Sequence, residues 1–176
     1  MKILYFGGQK SGKSNAATAK ILSLAKRKPF YVATYDNSFD DSAMQDRVDK
    51  HQEVRRSQLH TIEAPTNIAN LLQAGESYII DCLSMWIFNN LECPEQDLCE
   101  QLSAIFVIDC DVVFVLNDVN HGVIPMDLQS RRFVDLSGVI GQFVAKYCDE
   151  VYRVSFGIEE RLKKLVLSLR TLFRQK

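Results

Sequence analysis

An excess of charge of one sign is missing from this sequence. Its 176 residues hold 21 Lys and Arg against 22 Asp and Glu, a formal net charge of -1. A general binder of nucleic acid or of anionic membrane surfaces advertises itself with a large basic excess, so the balance argues against both roles. Long apolar runs are missing too: no stretch approaches the roughly 18 uninterrupted apolar residues that cross a bilayer. The N-terminus lacks the basic segment and cleavable apolar run of a secretory leader. The expectation is a soluble, cytoplasmic protein with no stable membrane insertion and no nucleic-acid partner. Cysteine is sparse, at five residues (Cys82, Cys93, Cys99, Cys110 and Cys148). None are paired at the two-residue spacing of zinc or redox motifs, so reduced structural thiols are expected. No internal repeat, low-complexity segment or linker divides the chain, and 47% apolar residues suffice for one core.

What is present is alternation. Short apolar runs at Lys2 to Phe6, Phe30 to Thr34, Leu59 to Ile62, Ser77 to Asp81, Asp111 to Asn117 and Glu150 to Ser155 read as strands. Between them, Ser14 to Arg27, Ser42 to Ser57, Thr66 to Gln73, Asp97 to Ile108 and Leu128 to Tyr147 have helical spacing, the third with Pro65 near its start. Strands apolar on both faces alternating with helices predict an α/β fold, a mainly parallel sheet with helices on both faces. The tail from Glu159 mixes leucines with Arg161, Lys163, Lys164, Arg170, Arg174 and Lys176. It reads as a terminal helix or an edge strand with a solvated basic face.

The first strand runs into "GGQKSGKS", Gly7 to Ser14. Gly7, Gly12, Lys13 and Ser14 meet the pattern G-x-x-x-x-G-K-[ST] in its required setting, strand before and helix after. In such a loop, successive N–H groups of Gly7, Gly8, Gln9, Lys10, Ser11, Gly12, Lys13 and Ser14 wrap a β-phosphate. The helix N-terminus adds partial positive charge, Lys13 reaches the β and γ oxygens, and the Ser14 hydroxyl serves Mg2+. A partner acid belongs at the end of a neighbouring strand. Asp81, closing "YIID", fits that place, and it also fits as the cap of a helix starting near Cys82.

A second informative stretch is "DDSAMQDRVDKHQEVR". As a helix it puts Arg47, His51 and Arg55 on one face, four residues apart. Flanking guanidiniums disfavour protonation of the imidazole and offer charge to a phosphate, so His51 suits nucleophilic attack on phosphorus. From the residues alone, a histidine beside an apolar stripe is more often a hydrogen-bonded packing residue. His60 adjoins a strand, and His121 lies in the loop after "VVFVLN", at the edge where ligands bind in such sheets.

These stretches, together with "YVAT", "TIEAP", "DCLSMWIFNNL", "VLNDV", "GVIP", "RRFVDLSG" and "DEVYRVSFGI", resemble the bifunctional adenosylcobinamide kinase / adenosylcobinamide-phosphate guanylyltransferase family of cobalamin biosynthesis. The resemblance spans nearly the whole chain. It implies a homotrimeric P-loop enzyme of RecA-like topology, with residues 1–176 as a single domain and about 164–176 as a C-terminal extension. It implies phosphorylation of the aminopropanol hydroxyl of adenosylcobinamide by ATP or GTP. Transfer of GMP from GTP to adenosylcobinamide phosphate would follow, with Mg2+ as cofactor. The histidine that carries GMP falls on His51, with Lys13 beside it in catalysis. Nucleotide contacts fall on Gly7 to Ser14, on Ala33, Thr34 and Tyr35, on Gln52, Glu53, Val54 and Arg55, and on Glu63 and Asp81, with Ser14 and Asp81 at the metal. Tyr35, Asn120, Val134, Val139 and Gly141 stand where the family has other residues. A monofunctional small-molecule P-loop kinase and a nucleotide-gated binding protein are the rival readings.

Overall fold

The computed structural model describes residues 1–35 and 57–164. In chain order these form β1 (Lys2–Gly7), α1 (Lys13–Leu24), β2 (Phe30–Ala33), β3 (His60–Glu63), a 3-10 turn (Ala69–Leu71), β4 (Ser77–Asp81), α2 (Leu83–Asn89), α3 (Glu95–Val107), β5 (Asp111–Asn117), α4 (Leu128–Tyr147), β6 (Glu150–Ser155) and β7 (Ile158–Lys163). The strands make one sheet in the order β3-β2-β4-β5-β1-β6-β7. Every neighbouring pair is parallel except β6 and β7. The expected α/β architecture is the one observed.

Period-two alternation sends each central strand's side chains to two cores. Ile3, Tyr5, Ile79, Val113, Val115 and Val154 meet Ala17 and Ile21 of α1 on one face. Leu4, Val32, Ile80, Val112, Phe114 and Leu116 meet Trp86, Leu98, Leu102, Ile105, Leu136, Ile140 and Val144 of α2 to α4 on the other. Strands β1, β4 and β5 are accordingly buried along nearly their whole length. The lower end of β1 is fixed by polar bonds, with Lys2 Nζ donating to the carbonyls of Ile108 and Cys110 at 3.0 and 2.8 Å.

Three expectations need correction. The helix over Thr66 to Gln73 reduces to the 3-10 turn, because tertiary partners take the backbone groups a helix would use. The Thr66 carbonyl accepts from the Trp86 indole, and the Tyr78 hydroxyl accepts from Gln73 N and donates to the Leu71 carbonyl. The first helix ends at Leu24, where Ala25 turns to extended backbone. Asp81 does not cap α2: the N-cap is Cys82, with no side-chain cap bond. Of the two forms open to the tail, the edge strand is realised, with Ile158 to Leu162 exposed. The predicted helix from Ser42 lies outside the described residues up to its last residue, Ser57. Arg170, Arg174 and Lys176 also lie outside them.

Candidate active site

The carboxyl edge of the sheet gathers the predicted residues through strand register. Gly7 pairs with Asn117, while Ala33 lies opposite both Glu63 and Asp81. At Gly7 the fold demands glycine, since a Cβ there would stand 2.2 Å from the Val154 carbonyl oxygen on β6. The chain then turns through left-handed backbone at Lys10 (φ 57°) and Gly12 (φ 96°) before entering α1 at Lys13. Gly12 N-caps the helix without a side-chain cap bond, so the first-turn amides are presented at the loop rather than claimed by a capping oxygen. Around Gly8 a Cβ would meet open space.

Lys13 is buried, and its Nζ donates to the Gly8 carbonyl at 3.1 Å, which folds the ammonium over the loop. Burial lowers its pKa, and the neighbouring Asp81 and Cys82 pull it back up, so Asp81 and Lys13 share one electrostatic site. Ser11 Oγ is buried within the loop and has no protein partner. An orphaned hydroxyl inside a ring of amides is what a phosphate oxygen satisfies.

Asp81 is held by the Tyr31 hydroxyl, which donates to Oδ2 at 3.0 Å. The Asp81–Cys82 peptide is cis. Burial, then the Asp81 charge, pushes the Cys82 thiol up to about 11, which leaves it protonated and inert as a nucleophile at neutral pH. The buried Thr34 spends its hydroxyl on the Cys82 backbone, donating to the carbonyl at 2.6 Å and accepting from the amide at 3.0 Å. Its carbonyl accepts from Asn89 Nδ2 at 2.7 Å. Thr34 therefore braces the β2 and β4 ends together, and its hydroxyl is already committed.

The structure thus brings Gly7 to Ser14, Ala33, Thr34, Tyr35, Glu63 and Asp81 to one edge. His51, Gln52, Glu53, Val54 and Arg55 lie outside the described residues. His60 is exposed at the start of β3, its ring 5.4 Å from that of Phe30. His121 Nδ1 meets Asp118 Oδ1 at 2.8 Å, and the Asp118 amide donates to the Gly7 carbonyl at 2.9 Å, so this pair stands beside the phosphate loop. Asn120 donates to the Val134 carbonyl at 3.0 Å and packs over Gly138. Sequence reasoning gave no role to Tyr31, whose hydroxyl in an otherwise apolar strand was the available signal. It also missed the β6–β7 turn: Gly157 N–H donates to the Ser11 carbonyl at 2.8 Å, and its Cα stands 3.2 Å from where a Gly12 Cβ would be.

For Mg2+ the donor set fits: one hydroxyl, Ser14, at the start of α1 and one carboxylate, Asp81, are hard oxygen ligands of the kind this ion takes along with phosphate oxygens. Among the described residues no cluster of three or more His, Cys, Asp or Glu side chains could hold a metal without such a ligand. No described helix is long and apolar enough to cross a membrane.

Comparison with known proteins agrees with this geometry. The flagellar accessory protein FlaH from Methanocaldococcus jannaschii superposes with a TM-score of 0.50 at 13% identity, covering 93% of this chain and 78% of its own, which supports the fold alone. The bifunctional adenosylcobalamin biosynthesis protein CobP of Pseudomonas aeruginosa is 30% identical over 174 residues, covering 93% of this chain and 98% of its own length. CobU proteins described in the same words from Salmonella typhimurium and Escherichia coli are 29% and 26% identical, each over its full length. The family model for cobinamide kinase / cobinamide phosphate guanyltransferase matches residues 3–162, and the chain belongs to that family.

Proposed function

We propose that this protein phosphorylates adenosylcobinamide with ATP or GTP and then guanylylates the product through a histidine adduct on His51. In the first step the aminopropanol hydroxyl oxygen attacks the γ-phosphorus, the nucleoside diphosphate leaves and the hydroxyl proton is released. In the second, an imidazole nitrogen of His51 attacks the α-phosphorus of GTP and pyrophosphate leaves. A phosphate oxygen of adenosylcobinamide phosphate then displaces His51 and yields adenosylcobinamide-GDP. Both steps load charge onto phosphate oxygens, and the loop amides with Lys13 are placed to stabilise it. Ala33, Thr34, Tyr35, Glu63 and Asp81, with Gln52 to Arg55, complete the nucleotide site in this reading. Mg2+, when bound, would be held by Ser14 and Asp81 and would neutralise phosphate charge. The enzyme acts in the cytoplasm as a homotrimer.

The observation that carries the reading is the cradle: a loop closed by Gly7 against β6, an orphaned Ser11 hydroxyl within it, and a buried Lys13 electrostatically coupled to Asp81. Incubation with α-labelled GTP tests it. Wild type should acquire an acid-labile, alkali-stable protein label. His51→Ala should acquire none yet keep nucleotide affinity within about tenfold, because the cradle supplies most triphosphate binding. Undiminished labelling of His51→Ala would remove His51 from the mechanism, and unlabelled wild type that still phosphorylates cobinamide would leave a kinase only.

A further inference from the structure

Asn117 closes β5 with a polar side chain that the fold itself hardly uses. Val113 and Val115 of the same strand pack against Ala17 and Ile21 of α1. Period-two alternation puts Asn117 on that face, the one from which the phosphate loop and Lys13 approach. Ile79 joins the same packed group, so Asp81 at the end of β4 stands on that face too. Strand order sets β5 directly between β4, which carries Asp81, and β1, which runs into the loop. Register levels Asn117 with Gly7 and puts Val115 opposite Asp81. The strand end is pinned on both sides: the Asn117 backbone N–H donates to the buried Ser84 Oγ at 2.9 Å, and the Asp118 N–H donates to the Gly7 carbonyl at 2.9 Å. The side chain is engaged far less. Its Nδ2 meets the Cys82 sulfur at 3.8 Å and makes no other hydrogen bond among the described residues. A thiol is a weak acceptor. The Lys13 and Asp81 charges both act on that same thiol, so the amide stands where Lys13 and Asp81 converge.

We propose that Asn117 is a γ-phosphate ligand, its Nδ2 donating to a γ oxygen in the space between Lys13 and Asp81. This rests on the phosphate-loop reading of the proposed function. The loop amides hold the β group at the end of β1, and the acid that serves a metal bridging β and γ oxygens stands at the end of β4. The γ group spans the interval between those two strand ends, and the strand end in that interval is Asn117 of β5. There the amide exchanges a thiol sulfur for an ionised phosphate oxygen and gains a charge-assisted bond. Its backbone is already fixed by Ser84, so little ordering of the strand end opposes the bond. Asn117 therefore favours the loaded triphosphate donor over the diphosphate left after transfer.

Calorimetric titration in Mg2+ buffer with the β,γ-imido analogue of ATP and with ADP tests this, on wild type, Asn117→Ala and Asn117→Asp. The two ligands share their nucleoside and their α and β groups, so the ratio of their affinities isolates the γ contact. Asn117→Ala should bind the analogue about tenfold more weakly, as expected for one lost hydrogen bond to a charged group, and ADP within about twofold of wild type. Asn117→Asp, of the same shape, should lose more, because its carboxylate faces the phosphate charge. The KM for ATP in cobinamide phosphorylation should rise in the same order. If the alanine variant melts below the assay temperature, the aspartate variant carries the test. An affinity ratio that stays within about twofold of wild type would overturn the proposal. So would an equal loss of analogue and ADP, which marks a deformed loop rather than a missing contact. Wild type that binds neither ligand would remove the phosphate-loop reading itself.

Discussion

At Gly7 and Gly8 the same residue type answers two different demands. A Cβ at Gly7 would stand 2.2 Å from the Val154 carbonyl, whereas one at Gly8 would touch nothing. The obstruction at Gly7 is backbone of a neighbouring strand, which no rotamer change relieves. Gly7→Ala should therefore cost about 3 kcal/mol of stability, read as a shifted urea midpoint. Gly8→Ala should leave stability within about 0.5 kcal/mol and act on phosphate affinity instead, because its methyl group would enter the space a ligand uses. Equal urea midpoints for the two variants would contradict the packing of the loop against β6. The motif spacing identified Gly7 and left Gly8 as an unspecified loop position; only the third dimension shows what each answers, since the Val154 carbonyl is 147 residues from Gly7 in sequence.

At the scale of elements, α1 is tied to β6 by Lys20, whose Nζ meets Glu150 Oε2 at 2.8 Å. Tyr152 joins them, its hydroxyl donating to the same oxygen at 2.9 Å. Burial opposes the Glu150 charge, but the bonds from Lys20 and Tyr152 outweigh it and hold the carboxyl below its ordinary pKa. Lys20 is likewise disfavoured by burial and on balance raised by Glu150 and Tyr152. A depressed carboxyl stabilises the fold above its unfolded pKa, and that contribution is lost as pH falls through the folded value. A raised ammonium contributes below its unfolded pKa and loses that contribution as pH rises through the folded one. The pair should be fully effective near neutrality and worth about 1 kcal/mol. Glu150→Gln should be less stable than wild type by that amount at pH 7 and equal to it at strongly acid pH, as measured by denaturant unfolding at each pH. A gap that persists in acid would mean the glutamate acts through packing rather than charge. Elements were legible wherever one face was buried by a regular partner: β4, β5, β6 and α4 fall on their expected bounds. The stretch from Thr66 was not, because Trp86 and Tyr78 claim its backbone groups from elsewhere in the chain.

For the whole molecule, the loop after β5 and the start of α4 expose Val123, Ile124, Met126 and Leu128, the first and third at 95%. An exposed apolar segment of this kind marks an interaction surface, and the proposed trimer would bury it. Light scattering should give a particle of three times the 20.1 kDa chain, and Ile124→Asp should reduce it while the melting profile of the chain persists. A monomeric wild type would remove the trimer from the proposed function.

The sequence by itself determined the α/β class, the phosphate loop with Lys13 and Ser14, and Asp81 at a strand end, because these depend on local spacing and on which strands must be buried on both faces. Tertiary structure alone decided that Gly7 abuts β6, that Tyr31 holds Asp81, that the Thr34 hydroxyl bonds the Cys82 backbone, and that the β6–β7 turn leans on the loop. Each of these joins residues distant in the chain through strand order, and strand order is fixed by the packing of the sheet as a whole rather than by any segment within it.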